Sequence, residues 1–284
     1  VELPGVGGSQ LVWAFQTEGL PRLGHRELAL MLVRTGQEAT PPGAPVEFFR
    51  AVVRAARQGA RVEPGGLTEL GPTGLPGWED VGGFVYSALE GLGGEPAAPG
   101  TLLATMVKRQ ELELIKVGGA TRLLARLGNA TRLYPGPLFT DLRRAPVGVP
   151  GEETVLRHLG HLVVSDAFVQ LREEVVRFRL FPERGAALAS LLRTAPPDAA
   201  VALHLPMDPL ANACLVWSPG QAGPAAIAPP GSDGRCVGGC FLGLAPGVEA
   251  NAVQMAEDGF ICLLTRSSHA ALLDALASGA PFAL

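Results

Sequence analysis

Apolar and polar positions along this chain predict a mixture of short strands and short helices. "LVWAFQ" (11–16) reads as a strand and "TEGLPRLGH" (17–25) as the turn after it. "RELALMLVR" (26–34) sets apolar residues at helical spacing and predicts a helix. "VEFFRAVVRAARQG" (46–59) predicts a second, amphipathic helix in which Phe48, Phe49, Val52, Val53 and Ala56 share a face and Gly59 is the stop. Residues 64–83 read as Gly/Pro-rich loop, "GFVYSAL" (83–89) as a strand, "GLGGEPAAPG" (91–100) as a loop and "TLLATMVK" (101–108) as a strand. "QELELIKVGGATRLLARLG" (110–128) is helical in pattern, with Gly118 and Gly119 weakening its middle by up to ~1 kcal/mol each relative to Ala. Gly128 or Asn129 is the expected left-handed closing residue. "TRLYPGPLF" (131–139) then runs extended, because its prolines forbid helix. Leu133, Tyr134, Leu138 and Phe139 are expected to anchor it to the body of the fold.

"RRAPVGVPGE" (143–152) is a linker candidate, and "EETVLRHLGHLVV" (152–164) a helix or a helix-to-strand passage. "EEVVRFRLF" (173–181) is strand-like, and "PERGAALASLLR" (182–193) a helix opened by proline, where a missing N–H costs least. Strands follow at about 200–205, 212–217, 223–228 and 237–244. "GFICLLT" (259–265) is a strand, and "SSHAALLDALAS" (267–278) a helix capped by Ser. "VVRFRLFPERGAALASLLR" and "FICLLTRSSHAALLDALAS" share one pattern of strand, tight connection and Ala/Leu helix. The fold class expected is α+β, as one domain over 1–284 or as two packed lobes, 1–147 and 148–284.

Composition narrows the setting. With 284 residues, 47% hydrophobic and 18% charged, the chain has ample material for a core. Its 37 Gly and 25 Pro favour short elements and many loops. A net charge of −4, with lysine only at 108 and 116, argues against nucleic acid and against a polybasic membrane site. No run approaches the roughly 20 apolar residues of a membrane span. "VELPGVGGSQ" has neither a basic start nor a long apolar stretch, so no signal peptide is expected; lacking Met, the chain is expected to be a piece of a longer protein. Four cysteines (214, 236, 240, 262) are too few for a disulfide scaffold and fit buried thiols of a cytosolic protein. Asn129-Ala130-Thr131 matches the glycosylation acceptor pattern, but a helix end is the favoured reading in that setting.

Candidate chemistry is thin. His158 and His161, three apart, would face one way on a helix and could contribute to a zinc site, although no third ligand is visible and an ordinary helix is the favoured reading. Cys236 and Cys240 are wider apart than common zinc knuckles, so core thiols are preferred. No Gly-x-Ser-x-Gly elbow or Walker pattern occurs, and "GVGGSQ" lacks the third glycine of a dinucleotide fingerprint. Ser165-Asp166 has no assigned histidine partner. The acids of "REE" (172–174) and "AED" (256–258) read as solvated edges or turns. No catalytic, cofactor-binding or metal-ligating residue is assigned, and no cofactor is expected.

"RLLARLGNATRLYPGPLFTDLRR" (122–144) resembles the C-terminal domain shared by Smad anchor for receptor activation and endofin, the FYVE-finger endosomal scaffold proteins. "TEGLPRLGHRELALML", "DVGGFVY", "VKRQELELIKVGGATRLLARLG", "GGCFLGL" and "AEDGFICLLTRSSHAALLDALA" are similar to further segments of that domain, in the same order from about residue 11 to 279. The resemblance implies a non-catalytic scaffold domain with a role in transforming-growth-factor-β or bone-morphogenetic-protein receptor signalling and endosomal trafficking. It implies protein partners, a receptor or an endosomal sorting adaptor. It further implies a cytoplasmic location at early endosomes, reached through a FYVE finger outside this chain. The chain departs from the family's full pattern in having no Cys/His-rich FYVE finger, no basic phosphoinositide motif and no Smad-binding segment. No direct membrane binding by this fragment is therefore expected. The competing expectation is an unrecognised enzyme or small-ligand binder, marked by converging polar groups in a pocket.

Overall fold

The computed structural model describes residues 1–284 apart from 6–7, 37–39, 90, 93–94, 97–99, 135, 149–150 and 230. In chain order the elements are β1 (Glu2–Gly5), β2 (Gly8–Gln16), β3 (Leu28–Val33), α1 (Ala44–Arg57), β4 (Leu67–Glu69), β5 (Val81–Ala88), β6 (Gly91–Leu92), β7 (Glu95–Pro96), β8 (Leu102–Lys108), α2 (Leu112–Gly118) and α3 (Ala120–Thr131). There follow β9 (Gly160–Val163), β10 (Ala167–Arg172), β11 (Val175–Leu180), α4 (Pro182–Thr194), β12 (Val201–His204), β13 (Ala213–Val216), β14 (Ala225–Ile227), β15 (Cys236–Gly238), β16 (Phe241–Pro246), β17 (Ala252–Ala256), β18 (Gly259–Leu264) and α5 (Arg266–Ser278). The fold is α+β, with several packed sheets. One six-stranded sheet runs β1-β2-β3-β8-β5-β4; two five-stranded sheets run β11-β10-β15-β13-β14 and β17-β18-β16-β12-β9; β6 and β7 form a separate small pair. Each large sheet mixes parallel and antiparallel neighbours, with β3/β8, β13/β15, β16/β18 and β9/β12 parallel.

The helix expected at 26–34 is instead strand β3. Its continuous apolar run has a physical cause: both faces of the six-stranded sheet are covered. Leu28, Leu30 and Leu32 point toward α1, where Phe48 stacks on Phe84 at 3.8 Å between ring centroids. Ala29 and Met31 point the other way, into a cluster with Leu3, Val12 and Leu103 that Leu138 and Phe139 flank. A strand apolar on both faces cannot be told from a helix by periodicity alone. Helix α2, helix α3 and the expected anchor segment share that second face, with Leu114, Leu123 and Leu127 packed on Val85 and Val107. Tyr134 packs into a different cluster and donates its hydroxyl to the Ala211 carbonyl at 3.1 Å. Pro135, expected to stiffen this segment, lies outside the described residues.

Other boundaries move for identifiable reasons. The 110–128 pattern divides at Gly119, whose φ of 81° ends α2 and starts α3. Helix α3 runs past Gly128 and Asn129, and the left-handed residue that closes it is Arg132, at φ 56°. The loop expected at 64–83 includes β4. Of the loop expected at 91–100, the described part pairs Gly91-Leu92 with Glu95-Pro96, and 93–94 and 97–99 lie outside the described residues. The strand expected at 237–244 is two strands separated at Gly239-Cys240. The 152–164 stretch is the helix-to-strand passage, a short 3-10 helix over Val155–His158 followed by β9. Helix α5 is capped by Thr265, whose hydroxyl accepts from the Ser268 N–H at 3.1 Å, rather than by the expected serine. Within the linker candidate, Arg144 pairs bidentately with the buried Glu111, and the Val147 N–H donates to Glu111 at 2.9 Å.

Candidate interaction site

Two places carry enough chemistry to weigh. The first is an ionic junction beneath α3. Arg122 and Arg126, one helical turn apart, are both buried. The Arg122 guanidinium donates to Asp258 at 3.0 and 2.6 Å, to Glu257 at 2.6 Å and to the Thr154 hydroxyl at 3.0 Å. Arg126 forms a bidentate pair with Glu152 at 2.8 and 2.7 Å and donates to the Trp217 carbonyl at 3.0 Å. Both guanidinium groups lie over the Trp217 ring, at 5.9 and 5.8 Å. Glu257 and Asp258 form the tip of the β17–β18 hairpin; Asp258 is fully buried and Glu257 half-buried. The reading of "AED" as a solvated turn is therefore wrong: the turn is there, but α3 covers it. Glu173 and Glu174 do form an exposed hairpin turn, both at positive φ.

Burial pushes the Asp258 carboxyl up, and the facing Arg122 guanidinium opposes that shift. Burial works to lower Arg122 as well, but the carboxylates of Asp258 and Glu257 outweigh it and keep the guanidinium charged. The void beside this junction holds only about 10 Å³. Among the described residues Asp258 Oδ2 is buried without a hydrogen-bond partner, but the other groups are engaged with one another and leave little space for a reactant, an arrangement that holds the fold together. They connect the six-stranded sheet's helices to residues 152–154 and to the last hairpin.

The histidines fall elsewhere than expected. His158 ends the 3-10 helix while His161 lies in β9, so they do not share a helix face. His161 instead stacks on His204 of β12, with Nδ1 and Nε2 2.8 Å apart. Burial first, then the His161 ring and the Arg122 guanidinium, pull His204 down to about 4. Cys236 is buried and donates to the Gln170 side chain; Cys240 and Cys214 sit in an apolar cluster with Ala125 and Val216. Burial pushes Cys240 well up and Cys214 to about 12, values of unreactive thiols. Ser165 and Asp166 form a turn in which Asp166 pairs with Arg184 at 2.9 Å.

The second place is a cleft of about 1160 Å³ between the two five-stranded sheets. Its walls come from two edge strands, β11 and β17, and from α5. Along β11, Val176, Phe178 and Leu180 are half-buried in alternation with exposed Val175, Arg177 and Arg179. Leu242, Leu244 and Phe260 form its floor. Exposed Val175, Phe181, Val253 and Met255 stand around its mouth, an apolar concentration that a monomer's surface rarely leaves without purpose. The chain's own residues 279–284 run along the same cleft, with Phe282 half-buried. Some of its polar groups are already engaged or inert. Arg179 is bound to Asp208 at 2.6 Å, and burial raises the Cys262 thiol to about 11. The arrangement can hold an apolar segment.

Reasoning from sequence missed this site and the junction. Arg122 and Arg126 at i and i+4 within a leucine helix were the available signal for the junction. The cleft had none, because its walls come from strands nearly eighty residues apart.

No family model matches the chain. Zinc finger FYVE domain-containing protein 16 of Mus musculus is 27% identical over 161 residues, covering 55% of this chain and 10% of that protein. Zinc finger FYVE domain-containing protein 9 of Homo sapiens is 30% identical over 140 residues, covering 48% of this chain and 10% of that protein. The chain thus shares about half its length with FYVE-domain-containing proteins and spans about a tenth of theirs. Among solved structures, Drosophila Suppressor of Fused aligns with 98% of this chain and 81% of its own, at 13% identity and a TM-score of 0.41.

Proposed function

We propose that this chain is a non-catalytic protein-interaction domain of an endosomal FYVE-type scaffold of the Smad-anchor and endofin kind. Its role would lie in transforming-growth-factor-β or bone-morphogenetic-protein receptor signalling and in endosomal trafficking. Recruitment to early endosomes would come from a FYVE finger outside these 284 residues. The observation that carries the interaction role is the apolar cleft flanked by β11 and β17. Edge strands offer unpaired backbone groups, and a cleft beside them takes alternate apolar side chains, the requirements for adding an extended segment of a partner. Residues 280–284, Ala-Pro-Phe-Ala-Leu, already supply an apolar segment of that kind along the cleft. The similarity to FYVE-domain-containing proteins supports the endosomal setting.

The test is quantitative co-purification from cells of the chain joined to a FYVE finger. Val253→Asp/Met255→Asp is compared with the parent and with a distant surface control, Leu142→Asp. All three substituted residues are exposed, so the fold should persist. A defined set of partners should be lost with the cleft variant and kept with the control. Identical partner sets in all three would remove the cleft from the proposal.

The volume of the cleft favours a second reading, an apolar small-molecule site. Native mass spectrometry of protein purified from cells decides between them: a stoichiometric bound small molecule, absent from the cleft variant, would support the second.

A further inference from the structure

Helix α1 covers only part of the six-stranded sheet. Phe48, Val52 and Ala56 reach the buried core, with Phe48 stacked on Phe84 of β5. Strand β2, next to the edge, is left to one side of the helix. Phe15 and Trp13 of β2 pair in register with Leu30 and Leu32 and share their face, yet both are only partly buried. Arg34 lies over Trp13 at 4.5 Å. Among the described residues no cation lies over Phe15, which lines a groove of about 520 Å³ between β2 and α1.

The helix wall of this groove has two chemistries in one stripe. Val46, Phe49 and Val53 give an apolar flank continuous with Phe15. Arg50, Arg54 and Arg57, at i, i+4 and i+7, give a cationic flank. Arg50 is held by Glu47 at 2.6 Å. Among the described residues, Arg54 and Arg57 have no ion-pair partner. Three arginines within eight residues, on a chain whose net charge is −4, are a local reversal of sign.

We infer that the groove between α1 and β2 docks a short acidic amphipathic helix of a partner protein. The inference goes beyond the cleft and does not depend on it. Strand β2 pairs with β3 along Val12–Gln16, and β1 covers its other edge over Gly8–Leu11. The groove lies on the face of the sheet, between β2 side chains and α1, so an occupant seated in it binds through side chains. Val46 to Arg57 spans about 16 Å at ~1.5 Å per residue, room for two to three turns of a partner helix. Apolar residues of that helix at i, i+3 or i+4 and i+7 meet Phe15, Phe49 and Val53. Asp and Glu on its flank meet the arginines, which fix its direction and speed its approach. A lipid surface is the weaker match: only three basic residues face the groove, whereas attraction to anionic lipid is about 1 kcal/mol per basic residue and needs many together.

The test begins with selection of random 16-residue peptides displayed on phage against the intact chain, followed by fluorescence anisotropy of the enriched sequences. Enriched peptides should combine acidic residues with apolar ones at helical spacing. Their affinity should fall about tenfold or more in Arg50→Glu/Arg54→Glu/Arg57→Glu, and should weaken steeply with added salt. Val46→Asp, which removes apolar contact at an exposed position, should weaken them as well. Unchanged urea midpoints would keep unfolding from imitating these losses. The inference is overturned if no such peptide is enriched, or if the triple variant binds them as the parent does. Sedimentation with phosphatidylserine vesicles that the triple variant abolishes, without peptide binding, would assign the groove to lipid instead.

Discussion

Arg122 is fully buried and faces two carboxylates, one of them equally buried. An ion pair so enclosed contributes little net stability against an apolar replacement of the whole, but losing one partner is severe. Arg122→Met should lower the free energy of unfolding in urea by about 3–5 kcal/mol, and adding Asp258→Asn should recover part of it. A second effect at this scale is pH-dependent. The fold holds His204 neutral, pulled down to about 4 from an ordinary 6.5. Between those values the unfolded chain binds a proton that the folded chain refuses, so stability is full above 6.5 and is lost as pH falls toward 4. The loss reaches about 3 kcal/mol from this group. Asp258, whose carboxyl is pushed up, works in the opposite sense at low pH, so the difference between parent and His204→Gln is the quantity to measure. That difference should be constant above pH 7 and shift against the parent as pH falls toward 4; a flat difference across pH 4–7 would show that His204 is accessible to protons in the fold. Neither residue's role was legible in the sequence. An acidic turn and a lone histidine acquire meaning only from partners that the fold brings from elsewhere in the chain.

Elements were read more successfully than residues, and the misses share a cause. Helix α1, strand β8 and the strand–helix units ending in α4 and α5 follow local patterns that their burial preserves. Strand β3 does not, because covering both faces removes the alternation that marks a strand. The repeated strand–helix pattern has a structural counterpart in the packing of α4 on α5. At their crossing, a Cβ added to Gly185 would run into the Leu276 carbonyl oxygen. Gly185→Ala should therefore separate the helices and cost about 1–3 kcal/mol, read as a lower thermal midpoint, even though alanine is the better helix former. Gly119 is constrained differently: its φ is positive, and an added Cβ would sit 2.8 Å from His204 Nδ1. The segment containing Phe139 does anchor to the sheet, but Phe139 is half-buried. Phe139→Ala should accordingly cost about 1–3 kcal/mol in urea, below the ~3–5 typical of a fully buried phenylalanine.

For the whole molecule, charge and surface separate binding from targeting. Among the described residues no helix is long and apolar enough to cross a membrane. The net charge is −4 and the two lysines are held by Asp80 and Glu69. The chain by itself should fail to sediment with vesicles containing phosphatidylinositol 3-phosphate, and a FYVE finger joined to it should restore sedimentation; strong sedimentation of the chain alone would move the membrane site into these residues. The α+β class was legible because it sums many local patterns. The cleft was not, because β11 and β17 come to face one cleft only after the chain has turned through several intervening strands.

The ionic junction also sets a clock. Arg122 and Asp258 are 136 positions apart. At about 5–20 residues per second of synthesis, roughly 7 to 27 seconds separate the appearance of the arginine from that of its acid. Through that interval Leu123 and Leu127 can already pack on Val85 and Val107, while the Arg122 side of α3 stays in water, because a lone buried guanidinium would carry a penalty. Only when the β17–β18 turn has been made can that side of α3 be buried with its charge matched.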